Sequence, residues 1–285
     1  LNVALPHVQA VLAEIRRSEQ TRGIADDAPT AELPADPQRI TFEGVTFRYG
    51  PDSEPAVREV DLEIPFGTTA AFVGSSGAGK STMIDLLLGL INPTEGTIAI
   101  DGTAVSTLTR SWRSRVGYVP QEVSLFDASV AQNVALTWSG DVDRERVRSA
   151  LERAQLLETI ESRPGGIDAP IGERGLALSG GQRQRLGIAR ALYADPLVLV
   201  MDEATSSLDT ATEAAVADAI RDLSGSMTIV SVAHRLSTIM HADRIFFMSG
   251  GRVVASGDFE SLQAAVPEFA HQVKLAGLGD GTLPE

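Results

Sequence analysis

Two kinds of hydrophobic pattern divide the chain. Between Ile40 and Ile64, apolar and polar residues alternate, which is typical of antiparallel strands with one face in water. Four later segments are almost entirely apolar, as expected of strands that helices cover on both faces. These four segments are 70–73, 197–201, 227–232 and 245–248. The pattern predicts an α/β fold with a parallel sheet and an antiparallel β subdomain.

Helical patterns occupy the remaining regions. The middle of the chain has no comparable strand pattern, and residues 143–157 follow helical spacing, so we expect an inserted helical subdomain there. At the start, apolar residues from Leu1 to Ile15 recur at helical spacing, and the stretch 26–37, rich in proline and acids, is typical of a linker. The predicted boundaries are 1–37 for an upstream helix and linker, 38–121 and 176–285 for the core with its β subdomain, and 122–175 for the helical subdomain.

Composition narrows the chemistry. A hydrophobic content of 43% is enough for a packed core, while a formal net charge of −14 repels phosphate backbones and disfavours general nucleic-acid binding. The chain contains no cysteine, which excludes disulfides, thiolate catalysis and cysteine-ligated metal centres. Its longest apolar runs, such as 86–91, are far shorter than the roughly 20 residues that span a bilayer.

A glycine-rich loop directly follows the first of the apolar strands. It fits the pattern G-x-x-x-x-G-K-[S/T] and leads into a helix-like run that starts at Thr82. Glycines let the backbone turn around phosphates, and amide hydrogens at a helix start attract their charge. A chance glycine turn is the alternative, but one of the only two lysines in the chain occupies the motif position. The loop predicts a triphosphate site in which Lys80 bridges the terminal phosphates and Ser81 ligates Mg²⁺. Its residues are Gly74, Ser75, Ser76, Gly77, Ala78, Gly79, Lys80, Ser81 and Thr82.

Two carboxylates end another apolar strand. Asp202 and Glu203 follow Met201 at the edge of the sheet where α/β proteins bind ligands. Adjacent acids at a strand end are ordinarily just solvated. With a phosphate loop in the same chain, we expect Asp202 to assist the magnesium. Side chains alternate along a strand, so Glu203 points elsewhere and can polarise a water molecule for attack on the γ-phosphate.

A third motif carries a family resemblance. The sequence Leu178-Ser179-Gly180-Gly181-Gln182 precedes the helical run 182–193, and alone it would be an ordinary helix N-cap. Together with the phosphate loop and the acidic pair, it resembles the signature of ATP-binding cassette (ABC) ATPases, and the resemblance extends from about residue 39 to 275. It implies a P-loop NTPase core of the RecA-like type. It also implies head-to-tail dimers in which Ser179, Gly180, Gly181 and Gln182 complete the ATP site of the other subunit.

The same resemblance implies roles for four more residues. Tyr49 matches the aromatic residue that stacks on adenine, the alternative being a core tyrosine at a strand end. Gln121 matches the glutamine that touches magnesium and water, and Asp209 lies in the loop that crosses the dimer interface. His234 matches the histidine that hydrogen-bonds the γ-phosphate and orients the attacking water. The implied catalytic residues are Glu203, His234 and Lys80, and the implied Mg²⁺ ligands are Ser81, Gln121 and Asp202.

Further segments resemble the exporter branch of the family. The run 171–175 resembles an exporter element that contacts the transmembrane coupling helices, and 121–126 is also similar to exporters. With the helical pattern at Leu1–Arg17, they imply the C-terminal motor part of a half-transporter, cut from a longer chain. Its implied partners are its own transmembrane domain and a second nucleotide-binding domain, at the cytoplasmic face of the membrane. The resemblance implies ATP and Mg²⁺ as cofactors and export of a lipid, glycolipid, peptide or drug-like substrate.

Two alternatives remain. A soluble ABC ATPase acting on nucleic acid or the ribosome is disfavoured by the acidic charge and by the lack of cysteine zinc modules. An importer ATPase subunit would ordinarily lack a helix before its first strand.

Overall fold

The computed structural model describes residues 31–138, 141–172, 175–202, 210–233 and 239–275, without the side chains of 210–215. Several predicted features therefore lie outside the described residues. They are the helical pattern at Leu1–Arg17, the centre of the exporter-like run 171–175, and the site residues Glu203, Asp209 and His234.

Strands and helices alternate along most of the chain. The strands are β1 (Arg39–Phe47), β2 (Val57–Pro65), β3 (Thr69–Gly74), β4 (Glu95–Ile100), β5 (Thr103–Ala104), β6 (Val116–Val119), β7 (Val198–Asp202), β8 (Thr228–Val232), β9 (Arg244–Ser249) and β10 (Arg252–Gly257). The helices are α1 (Lys80–Leu87), α2 (Thr109–Arg113), α3 (Val130–Ala135), α4 (Arg144–Arg153), α5 (Leu157–Glu161), α6 (Gly180–Tyr193), α7 (Thr210–Leu223), α8 (Phe259–Ala265) and α9 (Pro267–Leu275). A 3₁₀ turn covers Gly166–Asp168.

The central sheet has six strands in the order β10-β9-β3-β8-β7-β6. Five of them run parallel, and β10 pairs with β9 in the antiparallel direction. On β9, Phe246 packs on one face of the sheet and Phe247 on the other, and both rings are fully buried. The four apolar runs are therefore strands covered on both sides, and the predicted α/β fold with a parallel sheet is confirmed.

A second sheet of four strands has the order β2-β1-β4-β5 and is antiparallel. Its inner face packs Phe42 against Met83 of α1 and Trp112 of α2 in one hydrophobic cluster. The pattern from Ile40 to Ile64 predicted β1 and β2. It did not predict β4 or β5, which complete the sheet.

Between β6 and α6, within the described residues, only helices and turns are present. The helical pattern over 143–157 forms two helices in the structure, because α4 ends at Arg153 and α5 begins at Leu157. Gln155 takes a left-handed conformation with φ 52°, its N–H donates to Glu152 O, and the next N–H, from Leu156, donates to Leu151 O. This is a Schellman C-cap, which ends α4 and turns Leu156 and Ile160 into the core.

The last part of the predicted linker is packed against the domain. Ala31 N donates to Thr107 O at 3.0 Å, and Ser111 Oγ donates to Ala31 O at 3.0 Å. Leu33 packs against the cluster beneath the antiparallel sheet, and Pro37 is buried. Residues 31–37 are thus fixed to the β subdomain rather than extended in solvent. Among the described residues, no helix has the length and apolar character needed to cross a membrane.

Candidate nucleotide-binding site

The phosphate loop connects β3 to α1 and needs glycine at both of its ends. Gly74 has φ 147°, and a Cβ there would collide with the carbonyl oxygen of Met248. Gly79 has φ 99°, and its Cβ would lie 2.5 Å from Ala56 O. Any other residue at either position would be strained and would displace backbone. The loop between them leaves Ser75, Ser76 and Gly77 exposed, so its backbone is open to a ligand.

Lys80 lies inside this loop. Its side chain is only 5% exposed, and its Nζ donates hydrogen bonds to Gly74 O and to Ser75 O, each at 2.9 Å. The ammonium group is therefore held over the turn by carbonyls of the loop itself. This arrangement places a positive charge beside the start of α1, where the helix dipole adds positive potential. The geometry suits a bound polyphosphate.

Tyr49 follows β1 and stands on the surface with 67% of its side chain exposed, so the alternative of a core tyrosine is wrong. Its ring contacts Phe47 edge to face, with centroids 4.9 Å apart and an interplanar angle of 89°. Its hydroxyl forms a hydrogen bond of 3.1 Å with Thr82 Oγ1, on the first turn of α1. The ring thus offers an open face close to the phosphate loop.

The oxygen-bearing side chains that were predicted to hold magnesium follow or end strands of the parallel sheet. Asp202 ends β7, and Gln121 follows β6, the neighbouring strand in the sheet. Both residues are accessible to solvent, Gln121 more so than Asp202. Ser81 is exposed at the start of α1, which follows β3 of the same sheet. The structure brings these three residues to one edge of the sheet, as carboxyl ends of parallel strands require.

The surroundings of Asp202 carry negative charge that the sequence analysis missed. Tyr118 Oη donates to Asp202 Oδ2 at 3.5 Å. Burial raises the pKa of Tyr118, and the charges of Asp202 and Asp85 raise it further. Burial also raises the pKa of Asp85, which lies on the α1 helix. A divalent cation bound here would interact favourably with both carboxylates.

The signature motif caps α6. Ser179 Oγ accepts from Gln182 N at 3.3 Å, and Gln182 Oε1 accepts from Ser179 N at 3.0 Å, which makes a capping box. Ser179 is exposed, whereas the preceding Leu178 packs with α3, α4 and α5. The phosphate loop and α1 belong to a different cluster, below the antiparallel sheet. The structure therefore describes the motif and the phosphate loop as parts of two separate packing units.

Three predicted site residues, Glu203, Asp209 and His234, lie outside the described residues. The structure does describe the strand ends that come before Glu203 and His234. Asp202, the end of β7, is in register with Val232, the end of β8. In the sequence, Glu203 comes one residue after Asp202, and His234 comes two residues after Val232.

A polar network joins the chain after Gln121 to the signature helix, and the sequence analysis did not identify it. Asn133 is fully buried, with its side chain bonded to the N–H and C=O of Phe126 at 2.9 and 3.1 Å. Arg190 of α6 donates to Ser124 O at 2.8 Å and to Asn133 O at 2.9 Å. Burial lowers the pKa of Arg190, which stays a cation because an arginine titrates far above neutral pH. The sequence signal of this network is weak: an amide in the apolar helix α3, and one of several arginines in α6.

Several large apolar side chains between β6 and α6 are exposed to solvent. Trp138 is 64% exposed and contacts the half-exposed ring of Phe126, with centroids 4.6 Å apart. Leu136 and Leu176 are also exposed, Leu176 to 80%. We call Phe126, Leu136, Trp138 and Leu176 the apolar surface. Four large apolar side chains exposed on one helical region are typical of a surface that contacts another protein or domain.

Comparison with known proteins places this site in a family. The family described as "ABC transporter" matches residues 57–206, which include the phosphate loop, the signature motif and Asp202. An ATP-dependent lipid A-core flippase of Cupriavidus pinatubonensis is 43% identical over 83% of this chain. The mycobactin import ATP-binding/permease protein IrtB of Mycolicibacterium smegmatis is 44% identical over 86% of it.

A solved structure agrees with these relatives. A bacterial Atm1-family ABC exporter with ATP bound superposes with a TM-score of 0.76 and 35% identity, over 92% of this chain. The alignments cover 41% of the flippase, 42% of IrtB and 46% of the exporter chain, so this chain spans less than half the length of these proteins. The chain belongs to the ABC transporter family, and it is the ATP-binding, ATP-hydrolysing domain of that family.

Proposed function

We propose that this chain is the motor of an ABC exporter half-transporter, which uses ATP bound between two copies of the domain to drive a transmembrane domain. The observation that carries the proposal is the geometry of the phosphate loop, which we call the cradle. Its two ends, Gly74 and Gly79, have no room for any side chain, and the ammonium group of Lys80 is buried inside it. Tyr49 supports a nucleotide rather than a bare phosphate, because its exposed ring lies next to this cradle.

Magnesium fits the residues at the sheet edge. Mg²⁺ prefers hard oxygen ligands, and it is ordinarily held by one or two carboxylates together with substrate phosphates. Asp202, Ser81 and Gln121 would supply a carboxylate, a hydroxyl and an amide oxygen, in a neighbourhood where Asp85 adds negative charge. When bound, the ion neutralises charge on the phosphates.

Residues of the chain divide the catalytic work. Glu203 accepts a proton from the attacking water, and His234 orients that water and donates a hydrogen bond to the γ-phosphate. Lys80 stabilises the charge that develops on the transferring phosphoryl group. In support, Lys80 lies in the cradle, and Asp202, the residue before Glu203 in the sequence, ends β7.

The second half of each site comes from the other copy. The N–H groups of Gly180 and Gly181 begin α6, where the helix dipole is positive and would attract an anion, yet the motif packs in a different hydrophobic cluster from the phosphate loop of its own chain. We infer that Ser179, Gly180, Gly181 and Gln182 close over the γ-phosphate held by the partner, with Asp209 at the interface. Loss of that phosphate on hydrolysis weakens the closed dimer.

The transmembrane domain is the proposed partner of the apolar surface. Phe126 follows Gln121 by five positions and contacts Trp138, so a domain docked there would contact the chain close to a proposed magnesium ligand. The motor would then work at the cytoplasmic face of a membrane. A net charge of −14 favours this function over action on nucleic acid.

The substrate class is proposed from the relatives. Several relatives are lipid A-core flippases, which supports a lipid or glycolipid, and peptide or drug-like substrates remain alternatives. The relative IrtB is named for import, which is opposite to the export direction proposed for this chain, although the sequences of the two are 44% identical where they align. Export direction therefore depends on the transmembrane domain, which substrates contact.

Glu203→Gln tests the ATPase motor. We expect this variant to bind ATP with unchanged affinity, to lose turnover by roughly 10²- to 10⁴-fold, and to form an ATP-dependent dimer in light scattering. Lys80→Ala is the matched control, which should fail to bind ATP and stay monomeric. Wild-type turnover in Glu203→Gln would remove Glu203 from its role, and nucleotide binding by Lys80→Ala would refute the cradle.

A further inference from the structure

The loop that carries Tyr49 is fixed at both ends. Ala56 N donates to Phe47 O at 2.9 Å, which closes the loop, and Ser53 Oγ bonds both the N–H and the C=O of Gly50. Its far end also lies against the phosphate loop, because the space that a Cβ on Gly79 would need is filled by Ala56 O. The loop has little freedom to move relative to the cradle.

The ring itself is fixed by two contacts on opposite parts of the side chain. Phe47 contacts the Tyr49 ring in a T-shaped arrangement, and Thr82 Oγ1 forms a hydrogen bond of 3.1 Å with its hydroxyl. Thr82 is 6% exposed and belongs to α1, so it is a rigid partner. An exposed tyrosine would otherwise exchange among rotamers. With both contacts, one ring face stays open to solvent in one orientation.

The hydroxyl pair also has the right chemistry to link two parts of a ligand. When the phenol donates to Thr82 Oγ1, the threonine hydrogen is available for an acceptor of its own, such as a phosphate oxygen. The Thr82 side chain would then contact both Tyr49, whose ring faces the base, and an oxygen of the bound phosphates.

We propose that Thr82 is a positioning residue for nucleobase recognition: its hydroxyl fixes the Tyr49 ring in the orientation that stacks on the base of a nucleotide whose phosphates occupy the cradle. The inference rests on the proposed nucleotide site and adds the residue through which base and phosphate recognition are coupled. Its ligand class is any triphosphate that carries an aromatic base, since stacking tolerates different bases.

A double-mutant cycle tests the proposal. Tyr49→Phe keeps the ring and removes the hydroxyl, and Thr82→Val keeps the shape and removes its partner. By titration calorimetry with Mg·ATP, we expect Tyr49→Phe to weaken binding about three- to tenfold, because ordering the ring is then left to the ligand. In the Thr82→Val background, Tyr49→Phe should have no further effect. Thr82→Ser, which keeps a hydroxyl, should restore the dependence on the Tyr49 hydroxyl.

Inorganic tripolyphosphate separates positioning from phosphate binding. It lacks a base, so Tyr49→Phe should leave its affinity unchanged, whereas a general loosening of the site would weaken it as much as ATP. Tyr193→Phe removes a phenol hydroxyl from α6 and is the matched control, expected to bind ATP like the wild type. Unfolding midpoints of all variants show that each is folded.

The outcomes are distinct. Additive effects of the two substitutions on ATP affinity, or unchanged ATP binding by Tyr49→Phe, overturn the positioning role while the nucleotide site stands. Equal weakening of ATP and tripolyphosphate overturns it too. Failure of both the wild type and Tyr193→Phe to bind ATP overturns the proposed function, and the inference with it.

Discussion

Gly187, in the middle of α6, offers a test in which two physical effects oppose each other. In an exposed helix, alanine is more favourable than glycine by about 1 kcal/mol. At this position, however, a Cβ would lie 2.5 Å from Val123 Cγ2, 3.1 Å from Cγ1 and 3.4 Å from Cβ. Valine is stiff about χ1, so it cannot turn all three atoms away.

The magnitudes predict the sign. Overpacking of this kind costs about 1–3 kcal/mol, which exceeds the gain in helix propensity. Gly187→Ala should therefore lower the free energy of unfolding by about 1 kcal/mol. In a Val123→Ala background the obstructing atoms are gone, and the same substitution should raise the free energy of unfolding by up to about 1 kcal/mol.

Urea denaturation followed by circular dichroism measures all four proteins of this cycle. The expected coupling energy is about 2 kcal/mol, well above the usual error of such cycles for residues in contact. Because Val123 lies two residues after Gln121, the single variant Gly187→Ala should also change the magnesium dependence of ATP hydrolysis. An equal effect of Gly187→Ala in both backgrounds would refute the close approach of the signature helix to this segment.

Three further predictions concern individual side chains. Asn133→Ala should lower the free energy of unfolding by about 2–4 kcal/mol, because it leaves several buried groups around Phe126 without partners; a loss below about 1 kcal/mol in urea denaturation would contradict the network. Asp258 caps α8, and its hydrogen bonds to Ser261 lower its pKa. The ionised carboxylate therefore stabilises the fold fully above about pH 4 to 5, where this carboxyl is ionised in the unfolded chain as well. The stabilisation is lost as the pH falls through the lowered pKa of the folded state. Asp258→Asn should thus have a lower free energy of unfolding than the wild type at pH 7, and this difference should shrink in acid. If the difference grew in acid, the Asp258 carboxylate would not be the stabilising form. In Trp112→Phe, which leaves Trp138 as the only tryptophan, acrylamide should quench the fluorescence strongly, and protection from quenching would show that the apolar surface is covered.

The sequence predicted those parts of the fold that local pattern determines. Continuous apolar runs identified β3, β7, β8 and β9, because a strand that is covered on both faces consists almost entirely of apolar residues. The strand β4 was missed because its first half, Glu95-Gly96-Thr97, is exposed, and only Ile98 to Ile100 reach the core. The short α2 was missed for a different reason. It depends on a tertiary contact, in which Trp112 Nε1 donates to Leu87 O at 2.7 Å.

The same distinction holds for the site. The phosphate loop and the α6 cap are contiguous in sequence, so motif spacing was enough to find them. The partners of Tyr49 and Arg190 are 33 and 57 positions away, and no local pattern signals such pairs. The end of α4 at Gln155 was equally hidden, because a Schellman cap ordinarily uses glycine at the left-handed position.

The attachment of residues 31–37 to the β subdomain shortens the part of the chain that can move freely before β1. A free segment of that size could extend on the order of 20 Å, and fixing it removes that slack from the tether. A pull on the chain before Ala31 would therefore reach Thr107 and Ser111, the second of which lies on α2. Trp112 of α2 donates a hydrogen bond to Leu87 O in the last turn of α1, so a path through α2 connects Ala31 to the helix that begins at Lys80.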